Sequence, residues 1–295
     1  MGQKKYVHRF FSNVVRCPCV INQVCEASIG AVSNIEEIDR VPPDCSGRWL
    51  NVVLDLNGIL CECVPAWKGK GFRNRDFRVH SPTLPTEVGK KLVWVRPGCS
   101  DFLSQLSSIA TITVWSSMVA STTSDICEYL FGPIKPVKPL RILGQEDCDK
   151  VPLRKDGIRT LYMKEFGTQK DIFLKTLSNH LFNSYDKLYT PANTLVIDDS
   201  PIKHMLNLLE NVLLLPSWSF EDTGAEADST LIGQLLPYLL NLQQFLGGLA
   251  EYRSSHLLGR AMFYNDPQTS VQYVEILKAI TDWESRSRSC CRTSS

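Results

Sequence analysis

Residues 52–63 read VVLDLNGILCEC, and this stretch admits two interpretations. Asn57 and Gly58 both tolerate the positive φ of a tight turn, and aliphatic residues flank them on either side. Taken alone, the stretch predicts a β-hairpin. The alternative is a buried strand that ends at Asp55 and presents this carboxylate at the mouth of an active site. The rest of the chain has to decide between the two.

The composition is that of a globular protein. The chain has 295 residues, of which 43% are hydrophobic and 21% charged, enough for one large core with terminal extensions. A formal net charge of +1 gives no overall field that would direct the protein to nucleic acid, so no direct nucleic-acid binding is predicted. No stretch offers the roughly 20 uninterrupted apolar residues of a bilayer span. We therefore predict no membrane span.

The cysteines and the N-terminal charges bear on the compartment. The eleven cysteines include no Cys-x-x-Cys pair and no zinc-type set of Cys and His, so we interpret them as reduced intracellular thiols. This predicts a protein of the nucleus or cytoplasm. In the basic N-terminal segment Lys4, Lys5, Arg9 and Arg16 precede the first acidic residue, Glu26. Organelle transit peptides share this bias, so a mitochondrial location is the alternative, although a basic, flexible tail is the commoner explanation.

Short apolar runs alternate with helical patterns along the chain. Four runs have the length and β-rich composition of strands: LNVVL at 50–54, ATITVW at 110–115, TLVI at 194–197 and VLLLP at 212–216. Apolar residues at helical spacing occupy residues 101–107, 122–131, 171–181, 201–211 and 228–246. This alternation predicts an α/β fold, a Rossmann-like parallel sheet with helices on both faces.

The same patterns suggest three regions. Residues 1–47 have weak periodicity and end in proline- and glycine-containing turns, so we predict a partly disordered N-terminal extension there. The α/β domain is predicted over residues 48–250. Residues 251–295 are predicted to be a C-terminal extension whose tail, ESRSRSCCRTSS, is partly disordered.

Polar residues follow three of the predicted strands. Asp55 follows the first, Ser116 and Ser117 the second, and Asp198, Asp199 and Ser200 the third. The carboxyl ends of parallel strands line one crevice, where ligands bind. Each residue alone could be a turn or capping residue, but their convergence favours an active site over a hairpin. Adjacent buried carboxylates repel each other, so Mg²⁺ or a lysine is expected nearby.

Four separated motifs carry a family resemblance: DLNGI at 55–59, VWSS at 114–117, DIFLK at 171–175 and VIDDSP at 196–201. In this order they resemble the haloacid-dehalogenase superfamily, specifically phosphatase-like domains of the NLI-interacting-factor type that are similar to phosphatases of the RNA polymerase II C-terminal domain. The resemblance implies a haloacid-dehalogenase type of fold with a small flap insertion after the first strand. DLNG together with VWSS is similar to a plant-type subgroup with a degenerate first motif.

The resemblance also implies roles for individual residues. Asp55 is the expected nucleophile, which takes the phosphoryl group as an aspartyl phosphate. Ser116 and Ser117 are expected to bind the phosphate, and Lys175 to neutralise it together with the carboxylates. The cofactor implied is Mg²⁺, and its ligands would be Asp55, Asp198, Asp199 and the backbone carbonyl of Asn57.

One catalytic position departs from the family pattern. Asn57 stands where the family has the aspartate that protonates the leaving oxygen and later activates water. An amide can do neither, and general acid–base catalysis contributes ~10²- to 10⁴-fold. One hypothesis is a weak Mg²⁺-dependent phosphoprotein phosphatase. The alternative is a catalytically inactive pseudophosphatase that binds a phosphorylated segment or another protein.

The binding hypothesis includes a third possibility. The receptor subunit of the mitochondrial inner-membrane translocase is similar to these phosphatases and also lacks a complete first motif. That protein usually carries a membrane span before the domain, and none is predicted here, so this possibility ranks below the others.

A basic segment and a histidine also carry expectations. The basic segment GFRNRDFRVH at 71–80 lies where the family has its flap, and either contacts an acidic or phosphorylated peptide or forms a solvated loop. His204, on the predicted helix after VIDDSP, is expected at the helix surface.

Overall fold

The computed structural model describes residues 49–67, 84–151, 171–184, 187–222 and 229–258. By their contacts these residues fall into two units. Residues 150–151 and 171–174 belong to the first unit, and the other described residues belong to the second. The residues discussed below as a candidate active site all lie in the second unit.

The described residues form ten strands and four α-helices. The strands are β1 (Leu50–Leu54), β2 (Cys61–Pro65), β3 (Thr86–Val88), β4 (Lys91–Val95), β5 (Ala110–Trp115), β6 (Arg141–Leu143), β7 (Asp149–Val151), β8 (Ile172–Leu174), β9 (Thr194–Asp198) and β10 (Val212–Leu214). The helices are α1 (Cys99–Ile109), α2 (Ala120–Phe131), α3 (Leu236–Gln244) and α4 (Leu249–Ser255).

A five-stranded parallel sheet with the order β10-β9-β1-β5-β6 forms the centre of the second unit. All five residues of β1 are buried, because this strand lies between β5 and β9 and is covered on both faces. Strands of this kind carry apolar side chains on both faces, which accounts for Leu50, Val52, Val53 and Leu54. The polar residue of the strand, Asn51, donates from its side chain to the Leu188 carbonyl at 2.8 Å. The predicted parallel α/β sheet is confirmed.

The hairpin interpretation of residues 52–63 is wrong. After Asp55 the chain leaves the sheet, and β2 pairs antiparallel with β4 instead of with β1. Strands β2, β4 and β3 form a small antiparallel sheet, the insertion after the first strand that the family resemblance implied. The basic segment at 71–80 lies outside the described residues.

Two predicted helices are confirmed and two are not. Helices α1 and α2 contain the predicted stretches 101–107 and 122–131. The prediction of one helix over 171–181 is wrong, since Ile172–Leu174 form β8 and a π-helical turn follows at Ser178–Phe182. A short apolar run is compatible with a strand or with part of a helix. Here the pairing of β8 with β7 makes it a strand.

The stretch 201–211 is not one helix but two short 3₁₀-helices, Pro201–His204 and Leu209–Asn211. Between them the side chain of Asn207 hydrogen-bonds to the backbone of another segment, at Lys175 and Leu177. These tertiary hydrogen bonds accompany the interruption of the helix.

The hydrophobic core joins the sheet to the C-terminal helices. It includes buried side chains from β1, α1, β9 and α3, namely Leu50, Phe102, Leu195 and Leu239. In the predicted helix at 228–246, a π-helical turn at Thr230–Leu235 leads into α3. Helix α4 extends beyond residue 250 with Tyr252 buried, and the division into three regions stays a prediction. Over the described residues, no helix is both long and apolar enough to span a membrane.

Candidate active site

The register of the parallel sheet brings Asp55 and Asp198 to the same edge. Leu54 in β1 pairs with Ile197 in β9, and the backbone N–H of Asp55 donates to the carbonyl of Ile197 at 2.9 Å. Ser116 immediately follows β5, on the other side of β1. The carboxyl ends of these strands therefore form the crevice at which ligands bind in such sheets.

Lys175 lies between the two aspartates and is fully buried. Its Nζ is 3.2 Å from Asp55 Oδ1 and 2.5 Å from Asp198 Oδ2. A buried ammonium group is stable only when it is paired with negative charge. The structure thus brings together three residues that the family resemblance implied, although their catalytic roles stay predictions.

A second ammonium group comes from Lys203, which the sequence analysis missed. Its Nζ lies 2.8 Å from Asp55 Oδ2, 3.2 Å from Asp198 Oδ1 and 3.9 Å from Asp199 Oδ1. The side chain is 17% exposed, whereas that of Lys175 is fully buried. One signal was visible in VIDDSPIKH, because Lys203 follows Asp199 at the i,i+4 spacing that places side chains on one helical face.

The charges of these groups stabilise one another. Burial alone would raise the pKa of Asp198, but the ammonium groups of Lys175 and Lys203 hold that pKa well below its usual range. Burial alone would lower the pKa of Lys203, but the carboxylates of Asp198 and Asp55 outweigh burial and raise it. Asp198 and Lys203 are therefore both ionised at neutral pH.

Asp199 differs from the other carboxylates. Burial, with repulsion from Asp198 and Asp55, raises the pKa of Asp199 to about 6, although Lys203 and a hydrogen bond to Ser217 act in the opposite direction. Its protonation state therefore changes just below neutral pH.

The DLNG loop packs tightly against Asp199 because it contains a glycine. Gly58 has a φ of +86°, in the left-handed region that other residues rarely adopt. A Cβ at this position would collide with the carboxylate of Asp199 and with the hydroxyl of Ser217. Gly58 thus permits both the turn after Asp55 and the close approach of Asp199.

His204 is completely buried, so its expected surface position is wrong. Asn207 accepts a hydrogen bond from the Leu177 N–H at 2.8 Å, which fixes its amide orientation, and donates to the Lys175 carbonyl at 2.7 Å. Its amide nitrogen also lies 3.0 Å from His204 Nδ1, which must therefore accept. The proton of neutral His204 then resides on Nε2, which lies 3.0 Å from Asp198 Oδ2.

Burial lowers the pKa of His204 despite the opposing influence of Asp198, so the imidazole is neutral at neutral pH. Asn207 thus holds the backbone at Lys175, and neutral His204 contacts Asp198. Neither residue was singled out as functional in the sequence, since both depend on the contact between the segments around residues 175 and 204.

The other predicted site residues, Ser116, Ser117 and Asn57, differ in burial. Ser116 is buried, and its hydroxyl accepts a hydrogen bond from the Met118 N–H at 3.2 Å. Ser117 is half-buried beside it. The exposed side chain of Asn57 uses its Oδ1 to accept a hydrogen bond from the Cys63 N–H at 2.7 Å, so it connects the loop to β2. The predicted roles of these three residues stay predictions.

Three carboxylates are the candidate ligands for a metal ion. Among the described residues, Asp55, Asp198 and Asp199 form one group whose ligand oxygens lie within 4.8 Å of one another, and carboxylate oxygens suit Mg²⁺. However, Lys203 contacts oxygens of all three residues, and Lys175 contacts two of them. With Lys203 in this position the group does not fit a divalent ion, and the predicted Mg²⁺ site stays a prediction.

Two solved structures are similar: a variant of the fission yeast RNA polymerase II CTD phosphatase Fcp1 bound to beryllium fluoride, and Fcp1, an essential RNA polymerase II CTD phosphatase. Their sequence identities are 15% and 16%, and their TM-scores 0.39 and 0.40. The matches cover 85% and 81% of this chain, and 67% and 63% of the other chains. No curated protein sequence matches.

The family model described as NLI interacting factor-like phosphatase matches residues 50–248. This match includes all the residues that form the carboxylate and ammonium cluster. The chain belongs to the NLI interacting factor-like phosphatase family.

Proposed function

We propose that the protein is a weak phosphatase that hydrolyses phosphoric monoesters on protein segments through an aspartyl phosphate at Asp55. The observation that carries this proposal is the position of the Asp55 carboxylate at the end of β1, between the ammonium groups of Lys175 and Lys203. Membership of a phosphatase-like family supports the same reaction class.

In the first step an oxygen of Asp55 attacks phosphorus. A bond forms between that oxygen and phosphorus, while the bond to the leaving oxygen breaks and its electron pair departs with the leaving group. Positioned charges provide most of the catalysis in phosphoryl transfer, and here Lys175 and Lys203 would supply them. The amide of Asn57 has no acidic proton to transfer to the leaving oxygen. Turnover should therefore favour leaving groups that are stable as anions, such as aryl oxides.

In the second step water attacks phosphorus of the aspartyl phosphate: a bond forms between the water oxygen and phosphorus, the bond to the Asp55 oxygen breaks, and inorganic phosphate and the Asp55 carboxylate are released. The attacking water loses its proton to bulk solvent, because the amide of Asn57 cannot accept it. The lack of a general acid and base affects both steps of the cycle. We therefore expect a turnover rate well below that of an enzyme with a carboxylate at position 57.

A second function, phosphoprotein binding without turnover, is favoured by the hydrogen bonds around Asp55. Oδ1 accepts the Leu56 N–H at 2.9 Å and contacts Lys175, while Oδ2 accepts from Lys203. A carboxylate hydrogen-bonded through both oxygens is a poorer nucleophile. The same ammonium groups remain suited to binding a phosphate group.

Turnover of p-nitrophenyl phosphate by the full chain distinguishes these functions. We expect slow hydrolysis that Asp55→Asn abolishes and Asn57→Asp raises by roughly 10²-fold, because the substitution restores a group able to transfer protons. Assays with Mg²⁺ and with EDTA test the predicted cofactor separately. Absence of turnover in all three proteins would contradict the phosphatase proposal and leave the binding function.

A further inference from the structure

The ammonium group of Lys203 lies among the same three carboxylates that form the candidate metal group. It is 2.8 Å from Asp55 Oδ2, 3.2 Å from Asp198 Oδ1 and 3.9 Å from Asp199 Oδ1. We propose that Lys203 is an internal cation that takes the place of a divalent metal ion, so that this site binds a phosphate group without Mg²⁺. The phosphate ligand rests on the function proposed above, whereas the exclusion of the metal does not.

The charge balance of the site supports an internal cation. Asp55, Asp198 and Asp199 offer three carboxylates, and Lys175 and Lys203 offer two ammonium groups. A divalent ion added to this set would lie next to a lysine ammonium in a largely buried pocket, where like charges repel strongly. Mg²⁺ could therefore enter only if Lys203 moved away.

The carboxylate oxygens are also already hydrogen-bonded. Asp198 Oδ1 accepts from the Ser200 N–H at 2.8 Å and from Lys203, and Asp198 Oδ2 accepts from Lys175. Asp55 is engaged at both oxygens as well. Since Mg²⁺ requires an octahedral set of oxygen ligands at about 2.0–2.1 Å, a lysine among these oxygens is incompatible with it.

The backbone holds Lys203 at this position. Its carbonyl accepts a hydrogen bond from the Lys175 N–H at 2.7 Å, and its own N–H donates to the Ser200 carbonyl at 3.2 Å. Both the N–H and the carbonyl of Lys203 are thus hydrogen-bonded, and the carbonyl is bonded to Lys175, which carries the other ammonium group. The local fold therefore fixes the backbone from which the Lys203 side chain extends, and the contacts with Asp55 and Asp198 hold its ammonium group.

Lys203 keeps a donor for a ligand. A lysine ammonium has three N–H donors, and two are directed to Asp55 and Asp198. Asp199, at 3.9 Å, is beyond hydrogen-bond distance, so with respect to the described residues one donor remains for a phosphate oxygen. The side chain is partly exposed, as a group that meets a ligand from solution has to be.

The test is calorimetric titration of Mg²⁺ into metal-free protein. The proteins compared are the natural full chain, Lys203→Met and Lys138→Met, the last removing an exposed lysine from the loop after α2. We expect no measurable Mg²⁺ binding by the natural chain or by Lys138→Met. Lys203→Met should bind Mg²⁺ at least about tenfold more tightly, because its three carboxylates share one ammonium group.

Mg²⁺ binding by the natural chain with the affinity of Lys203→Met would overturn the proposal, and so would absence of binding in both. If Lys203→Met does not fold, the natural chain still decides, since Mg²⁺ binding there contradicts an occupied cation position and its absence supports one.

A second titration uses inorganic phosphate with the natural chain, in EDTA and in Mg²⁺. The two affinities should agree within about twofold, and a tenfold gain with Mg²⁺ would contradict the proposal. If phosphate does not bind at all, the proposed function fails, while the Mg²⁺ titration still decides the role of Lys203.

Discussion

The backbone N–H of Lys175 donates a 2.7 Å hydrogen bond to the carbonyl of Lys203, which joins the two residues that neutralise Asp55. Their ammonium groups contact opposite oxygens of that carboxylate, Lys175 at Oδ1 and Lys203 at Oδ2. A change that displaces one lysine backbone is therefore expected to displace the other. The charge balance of the site depends on the contact between these two segments as much as on the residue types.

Replacing Lys175 by methionine should destabilise the fold severely. Among the described residues, the substitution leaves the buried Asp55 and Asp198 with Lys203 as their one remaining ammonium partner, and breaking a buried pair costs roughly 3–5 kcal/mol. The measurement is the free energy of unfolding in urea. Lys150→Met is a matched control, because Lys150 is exposed, its ion-pair partner Asp171 is partly exposed, and surface pairs contribute about 0–1 kcal/mol. Equal losses in both variants would contradict the buried pairing.

Asn207→Ala tests the hydrogen bonds between the Asn207 side chain and the backbone at Lys175 and Leu177. The substitution leaves the Leu177 N–H and the Lys175 carbonyl without this partner, which should cost about 1–3 kcal/mol of unfolding free energy. It also releases Nδ1 of His204, so the ¹⁵N shifts of this imidazole should show a changed tautomer equilibrium. Asn179→Ala, which removes an exposed hydrogen bond to Asp149, is the control. An unchanged His204 spectrum in Asn207→Ala would refute the assigned tautomer.

The sequence predicts the sheet and the meeting of Asp55 with Asp198 for a simple physical reason. A strand buried on both faces needs consecutive apolar residues, so residues 50–54 identify the central strand directly. Because parallel strands end at one edge of the sheet, carboxylates that follow them have to converge. These conclusions need local patterns and one rule of topology.

The contacts of Lys203 and the burial of His204 could not be predicted in this way. Both depend on the 3₁₀-turn at Pro201–His204 and on its hydrogen bonds to the segment around Lys175, where the sequence pattern suggested a longer helix. Asn57 shows the same limit, since its hydrogen bond to the Cys63 N–H requires the turn at Gly58. Tertiary hydrogen bonds that override local helix propensity leave no periodic pattern in the sequence, so a sequence pattern does not predict them.

Gly58→Ala should destabilise the protein by more than its backbone conformation alone explains. The positive φ of +86° penalises any side chain by about 1–2 kcal/mol, and the added Cβ collides with Asp199 and Ser217. Gly248 has the same φ of +86° with a ψ of 172°, a region essentially restricted to glycine, and no described atom lies within 4 Å of its added Cβ, so Gly248→Ala gives an upper limit for the backbone penalty. Urea unfolding should show the larger loss for Gly58→Ala, and a loss no larger than about 1–2 kcal/mol would contradict a costly collision.

Asp199 should give the stability a recognisable pH dependence. The pKa of this carboxyl is raised from 3.8 to about 6, chiefly by burial, so the folded state binds its proton more tightly than the unfolded state does. Protonation therefore favours folding, and this contribution is present below about pH 4 and is lost as the pH rises to about 6. A shift of this size corresponds to about 2–3 kcal/mol.

Asp199→Asn removes the titrating group. The difference in unfolding free energy between the variant and the natural chain should shift in favour of the variant from pH 4 to pH 6 and stay level above pH 7. Urea denaturation at half-unit pH intervals measures this difference. A difference that is constant across the whole range would mean that Asp199 is ionised throughout, and that Lys203 neutralises it more strongly than a separation of 3.9 Å suggests.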